Sequence, residues 1–280
     1  MFLNRFFYIL GAMLCCAPLR AQPMFDVPFV PTPYVVIDEM LRLANVTAED
    51  FVMDLGSGDG RVLITAAKKF GARGIGVDLD EQLVWQSEAA AGEAKVADRV
   101  RFLQQDLFKT DLKQATVITM YLLPGVMQRL QPVLLDLRPG TRLVSHDFTL
   151  GDWRPDVTTQ IRKNTFLWIV PAKVAGRWQM TLDLPGGTGP QPVTLELRQK
   201  FQEVDGIARI GAGLPAQIWE PRLAGDRLSF VIVDDRDHED QTSLYFEGRV
   251  TEDVIAGSIR RGVGKAQTVL PWRATRVAGR

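Results

Sequence analysis

The chain has 280 residues, 33 basic and 33 acidic, and is 46% hydrophobic. That length can hold one large domain or two ordinary ones. The balanced charge argues against a nucleic-acid surface, and two histidines with two cysteines leave no material for a histidine-rich metal centre.

Arg5 precedes an apolar run from Phe6 to Ala17, followed by Pro18-Leu19-Arg20-Ala21-Gln22. A charged n-region, a short h-region and a small residue at a cleavage position read as a signal peptide over residues 1–21, with an uncleaved membrane anchor as the alternative. The run is shorter than a spanning helix requires. The expected location is therefore exported (periplasmic) or membrane-anchored, with membrane association through residues 1–21. Cys15 and Cys16 both lie in this segment, so cleavage leaves no cysteine and no disulfide.

Pro28-Phe29-Val30-Pro31-Thr32-Pro33 reads as an extended arm. Thr32 serves as the N-cap and Pro33 as the first residue of a helix carrying Val36, Ile37, Met40, Leu41, Leu43 and Ala44 at helical spacing. Phe51-Val52-Met53 reads as a buried strand and Arg61 to Phe70 as a helix. Gly74-Ile75-Gly76-Val77-Asp78 is a second strand, followed by a helix from about Asp80 to Ala94. Val100-Arg101-Phe102-Leu103 is a third strand, ending near Asp106. Ala115 to Tyr121 is a fourth strand, Pro124 to Leu137 a helix, Arg138-Pro139-Gly140 a turn, and Arg142 to Phe148 a fifth strand. Val157–Ile161 and Thr165–Val170 flank Lys163-Asn164 as a closing hairpin. Alternating strands and helices predict a parallel sheet with right-handed crossovers. With the hairpin this is an α/β, Rossmann-like seven-stranded domain over residues 22–173.

Beyond Lys173 helical periodicity ends. Trp178–Leu184, Val193–Leu197, Leu228–Val233, Ser243–Phe246, Val254–Ile259 and Val269–Trp272 are short β-rich runs between turn residues. About eight strands in roughly 105 residues predict a small antiparallel all-β, barrel-like domain over 174–280. Trp178 near its start and Trp272-Arg273 near its end resemble lipocalin-like barrels, where a first-strand Trp packs against a last-strand Arg. A structural or interaction role is the plainer reading of this domain.

The chemistry concentrates in Asp54-Leu55-Gly56-Ser57-Gly58-Asp59-Gly60. A glycine turn between strand and helix lets a ligand approach the backbone. Carboxylates at Asp54 and Asp59 repel a pyrophosphate and favour a cationic or zwitterionic ligand. S-adenosylmethionine fits, with its ammonium, its sulfonium and no phosphate. Asp54, Gly56, Ser57 and Gly58 are then candidates to hold its methionine part. Asp78, 24 residues after Asp54, is placed for the ribose hydroxyls. Asp106, with Leu107 beside it, is placed for the adenine, unless Asp106 is only a loop residue. Transfer itself needs a nucleophile aligned with the sulfonium carbon. Tyr121 at the end of strand four is either an acceptor-channel residue or a packed sheet-end tyrosine. His146 at the end of strand five is either a proton acceptor or a loop histidine bonded to backbone.

With these residues the chain resembles the class I S-adenosylmethionine-dependent methyltransferases. Pro31-Thr32, the Asp54–Arg61 stretch and the endings of strands four and five are similar to a group of short, N-terminally anchored protein-lysine methyltransferases. Its mitochondrial members modify inner-membrane proteins. The resemblance covers roughly residues 28–155. It implies a lysine acceptor and places Thr32 and Tyr121 close to cofactor and amine. The Asn/Asp-Pro-Pro-Tyr tetrapeptide of adenine and glutamine methyltransferases is absent: strand four ends Tyr121-Leu122-Leu123-Pro124. The expected partner is a protein or small-molecule methyl acceptor, with neither nucleic acid nor metal. The rival reading is a non-catalytic binding protein with a lipocalin-like ligand-binding barrel.

Overall fold

The computed structural model describes residues 29–183, 189–234, 242–261 and 267–277. The signal or anchor expected over residues 1–21 lies outside the described residues.

Helix α1 (Tyr34–Leu43) buries Val36, Ile37, Met40 and Leu41. It begins one residue later than expected. Pro33 takes the N-cap position without a capping side chain, which leaves the Thr32 hydroxyl free for another contact. Strands β1 (Phe51–Leu55), β2 (Arg73–Asp78), β3 (Val100–Gln104), β4 (Val117–Met120) and β5 (Arg142–His146) are parallel. An antiparallel hairpin of β6 (Val157–Gln160) and β7 (Asn164–Ile169) joins β5, giving the order β3-β2-β1-β4-β5-β7-β6. Strand β5 stops two residues short of Phe148 because Asp147 adopts a left-handed conformation, φ 68°. Helices α2 (Arg61–Thr65, continued by a π-helical turn Ala66–Phe70), α3 (Glu81–Glu93) and α4 (Pro124–Leu135) cover the faces. Asp80 caps α3, accepting from the Gln82 amide at 2.8 Å. The central strands are buried along nearly their whole length, with β4 entirely so, as a sheet covered on both faces requires. Each large aliphatic side chain placed there contributes about 1.5–3 kcal/mol.

The second sheet is antiparallel and nine-stranded among the described residues: β8 (Gly176–Leu182), β9 (Gln191–Lys200), β10 (Glu203–Ile210), β11 (Ala216–Gln217), β12 (Trp219–Ala224), β13 (Arg227–Asp234), β14 (Thr242–Thr251), β15 (Val254–Arg261) and β16 (Thr268–Arg276). It curls into a nearly closed barrel, and the Ile218 amide reaches the Gly206 carbonyl at 3.1 Å across the gap. Its interior is filled. Phe230 and Phe246 stack at 4.8 Å, with Trp272 edge-on to both, so the barrel has a packed core where the lipocalin-like reading expected a ligand. The expected Trp–Arg contact exists with a different arginine. Arg276 lies over Trp178 at 4.2 Å and donates to the carbonyls of Lys173 and Ala175. Arg273 is solvent-exposed.

The two sheets are joined by packing. Trp153 stacks on Phe201 at 5.7 Å and donates to Gln202 Oε1 at 2.8 Å. Gln202 donates in turn to the Arg154 carbonyl at 2.7 Å.

Candidate active site

The C-terminal ends of β1, β2, β3 and β4 meet at one cavity of about 500 Å³. Its floor is the turn from β1 to α2. The Gly56 and Ser57 amides both donate to the Val77 carbonyl, at 2.9 and 3.0 Å, and the Gly58 amide donates to Asp78 Oδ2 at 2.9 Å. These donors tie the turn to β2. The chemistry left facing the cavity is therefore weighted toward acceptors, which suits a cation. At Gly58, φ is +55° and the Phe29 ring lies 2.3 Å from where a Cβ would stand. Only glycine supplies both the conformation and the room.

Arg61, the first residue of α2, folds back on Asp59 with Nη2–Oδ2 at 2.6 Å, and donates to the Thr32 carbonyl at 3.2 Å. Asp59 is thus an ion-paired clamp that fixes the arm to the turn, where the sequence suggested a second free carboxylate. Asp54 is different. It is buried, its Oδ1 accepts from the Thr119 hydroxyl at 2.7 Å, and no cation pairs with it among the described residues. Burial, reinforced by the negative charges of Asp78 and Asp59, pushes its pKa up to about 7 against the Thr119 hydrogen bond. An ammonium brought beside it restores the ionised form.

Asp78 lies on the cavity wall with Oδ1 also accepting from the Asp80 amide at 3.0 Å. Its carboxylate is held in place while each oxygen keeps a further lone pair. Asp106 and Leu107 line the same wall. Asp106 caps a short 3-10 turn, Leu107–Lys109, through the Phe108 amide at 2.9 Å. Thr32, Gly56, Ser57 and Gly58 complete the lining. Ser57 Oγ is buried without a partner among the described residues. A buried orphan hydroxyl is costly unless a ligand satisfies it. Together with the unpaired buried carboxylate, it fits S-adenosylmethionine, which Asp54 and Ser57 would hold at the methionine, Asp78 at the ribose, and Asp106 with Leu107 at the adenine. When bound, that cofactor supplies a methyl group on a positive sulfur.

The far end of the cavity is bounded by the segment after β4, backed by the end of β5. Tyr121 lines the cavity just beyond β4. Its ring lies 4.2 Å from that of His146 and is stacked on Phe148 at 6.0 Å. His146 is the buried last residue of β5, with Nδ1 3.4 Å from Thr32 Oγ1. It is outside the residues that line the cavity. Burial holds its pKa below the usual value, and Lys163 adds to this while Asp147 opposes it. It stands behind Tyr121 and Thr32, at the buried end of a strand and hydrogen-bonded to a side chain where the loop-histidine reading expected a backbone partner. Lys163, paired with Asp147 at 2.5 Å, closes this corner.

Several lining residues escape sequence reasoning. Arg129 on α4 covers the Phe108 ring at 3.9 Å, and both line the cavity with Phe29 and Leu79. Thr119 is the buried partner of Asp54. The Phe29 position has a local signal, an aromatic residue just ahead of Pro31-Thr32. The Arg129–Phe108 pair joins different crossovers and has none.

Comparison with known proteins agrees with this geometry. The family model described as the ANTKMT methyltransferase domain matches residues 54–157. A protein-lysine N-methyltransferase of Saccharolobus islandicus is 42% identical over 131 residues, covering 46% of this chain and 81% of that protein. A mouse (Mus musculus) lysine N-methyltransferase named for ATP synthase is 31% identical over 186 residues, covering 64% of this chain and 74% of its own. A Salinibacter ruber structure described as an RNA methyltransferase with S-adenosyl-L-homocysteine is 50% identical, with a TM-score of 0.51, covering 52% of this chain and 96% of its own. The chain is a class I S-adenosylmethionine-dependent methyltransferase and belongs to the family of the Saccharolobus and mouse lysine N-methyltransferases.

Proposed function

We propose that the protein transfers methyl groups to lysine side chains of protein acceptors, working from the membrane side of the cell through residues 1–21, either exported or anchored there. The observation that carries the lysine reading is the 42% identity to the Saccharolobus enzyme. The acceptor end is compatible with it. An amine entering past Phe29 meets the Tyr121 hydroxyl, which accepts a hydrogen bond and aims the nitrogen lone pair at the methyl carbon. Tyr121 cannot wander, because His146 and Phe148 pack against its ring. The acceptor reacts as the neutral amine and gives its proton to solvent at the cavity mouth. With Asp54 serving the ammonium, the site would leave the sulfonium of a bound cofactor without a strong anionic partner and so would not over-stabilise it relative to the transition state for transfer.

The test is incubation with methyl-labelled cofactor and two acceptor pools, membrane protein and total RNA, followed by hydrolysis. Label in mono-, di- or trimethyl-lysine supports the reading. Label confined to nucleosides would replace it with the activity in the name of the Salinibacter structure. For location, a reporter joined after Gln22 should leave the cytoplasm or remain in the membrane; recovery as a soluble cytoplasmic protein retaining Met1 refutes both forms.

A further inference from the structure

The loops at the C-terminal ends of the parallel strands share a property unrelated to cofactor binding. Leu79 follows β2, Phe108 follows β3, Leu123 follows β4, and Ile161 sits on the β6–β7 turn, which register brings beside the end of β5. Phe29 and Val30 of the arm lie over the end of β1. These six side chains are each between 36% and 54% exposed. The loops at the opposite end of the sheet (44–50, 71–72, 94–99, 110–116 and 136–141) carry no exposed large hydrophobic residue among those described. Val46, Val96, Leu112 and Leu137 in those loops are all buried. Single exposed apolar side chains also occur elsewhere, as at Trp85, Val133 and Val157, and such scatter is ordinary, but among the loops of this sheet they gather at the mouth of one cavity, and that clustering marks an interaction surface.

We infer that this rim seats in the interfacial layer of a lipid bilayer, so that the methyl-transfer cavity opens directly onto the membrane surface. Two observations select lipid as the occupant. The apolar run Phe6–Ala17 is separated from Phe29 only by residues 18–28, which span about 40 Å at full extension. A chain held in the membrane by that run keeps the rim within this distance of the bilayer. Two of the rim's cations are locally matched: Lys163 pairs with Asp147 at 2.5 Å and Lys109 lies 3.8 Å from Asp106, while Arg162 is exposed beside Ile161 and is left for a headgroup phosphate. Apolar groups with largely balanced charge suit insertion among zwitterionic headgroups. The acceptors reached this way are amines presented at a bilayer surface. The tether's reach rests on the membrane placement proposed above; the ring of exposed residues does not.

The test uses the full chain with Cys15→Ser and Cys16→Ser, carrying a nitroxide at Leu123→Cys, at Ile161→Cys or, as control, at Glu49→Cys in the loop before β1. None of these three residues lines the cavity. With phosphatidylcholine vesicles, the labels at 123 and 161 are expected to lose collisions with a water-soluble nickel chelate and gain collisions with oxygen, in low and high salt. The label at 49 stays in water. Labels at 123 and 161 that stay in water while the protein remains on the vesicles overturn the rim inference and leave membrane anchoring standing. Labels at 123 and 161 immobilised without vesicles, together with dimeric sedimentation, also overturn it, because a second copy then covers the rim. As a functional arm, Leu123→Asp with Ile161→Asp should lower methylation of bilayer-embedded acceptors severalfold while sparing detergent-solubilised ones. Equal loss on both overturns the inference.

Discussion

Asp54→Asn separates what the site does for the cofactor from what it does to the fold. The wild-type carboxyl has a pKa of about 7 in the folded chain against an ordinary 3.8. A raised folded pKa means that the native state holds the proton more tightly than the unfolded chain. Below pH 4 both states are protonated and nothing is lost. As pH rises to about 7 the unfolded chain ionises first, and the native state loses about 1.36 kcal/mol per pH unit. The interval from 3.8 to about 7 amounts to about 4 kcal/mol, fully expressed at pH 8. Asparagine removes this penalty. Its Oδ1 can still accept from Thr119, and its amide can face the cavity that Asp54 lines. The variant should therefore melt higher at pH 8 by roughly 8–16 °C, at about 2–4 °C per kcal/mol, and the difference should vanish below pH 4.

Cofactor binding should move the other way. The ammonium binds the ionised carboxylate, so wild-type affinity for S-adenosylmethionine should fall as pH drops below 7, approaching tenfold per pH unit. Asp54→Asn should lose about 1.5–3 kcal/mol of binding, the range for a charge-assisted contact, along with the pH dependence. Scanning calorimetry from pH 4 to 8 and titration calorimetry from pH 6 to 8 read the two halves. A variant that melts below wild type at pH 8 and binds the cofactor normally would refute the reasoning. Stability given up for function is a common arrangement at binding sites, and here it is assigned to one carboxyl.

Asp78→Asn replaces one of the two oxygens that accept from the Gly58 and Asp80 amides with an NH2 group, so one brace of the turn is lost together with a ribose acceptor, and cofactor affinity should fall by about 1.5–3 kcal/mol with the fold retained by circular dichroism; unchanged affinity would remove the ribose role. His146→Ala should raise the acceptor KM through a loosened Tyr121 and Thr32, while cofactor Kd and the pH profile of kcat stay fixed. A lost ionisation in that profile would show instead that His146 exchanges protons with the acceptor. Trp153→Ala strips the ring that stacks on Phe201 and meets Trp168 at a tilt and should cost about 3–5 kcal/mol by denaturant melt, with cofactor affinity retained in the folded fraction. A chain ending at Lys173 loses Phe201 and Gln202 from the same contact; it should still bind the cofactor, because every lining residue lies between Phe29 and Arg129. Loss of binding in a cooperatively melting truncated chain would show that the barrel completes the site.

The parts of the molecule legible in the sequence are those written in local periods. Alternating apolar runs and glycine turns place β1 to β5 and the crossover helices within a few residues, because a sheet covered on both faces demands continuous apolar strands. Boundaries fail where one residue's conformation decides. Asp147 in the left-handed region ends β5 early, and Pro33 moves to the cap of α1 and releases Thr32 toward His146. In the barrel, β10 and β12 carry weaker alternation, since Gly206 and Pro221 interrupt them, and they emerge only through cross-strand pairing with β9 and β13. At the site, acids are visible in sequence but their ionisation is not. Asp54 and Asp59 are five residues apart in one loop and look equivalent as charges. The fold gives Asp59 a guanidinium and gives Asp54 only a hydroxyl. That difference depends on Thr119, 65 residues away, and no local pattern encodes it. The same distinction governs the acceptor end, where Tyr121 and His146 come from adjacent strands and are brought into ring contact by register alone. Residue type names the chemistry available to this chain, and the pairing of β1, β4 and β5 decides which group holds a charge, which stays neutral, and which faces the substrate.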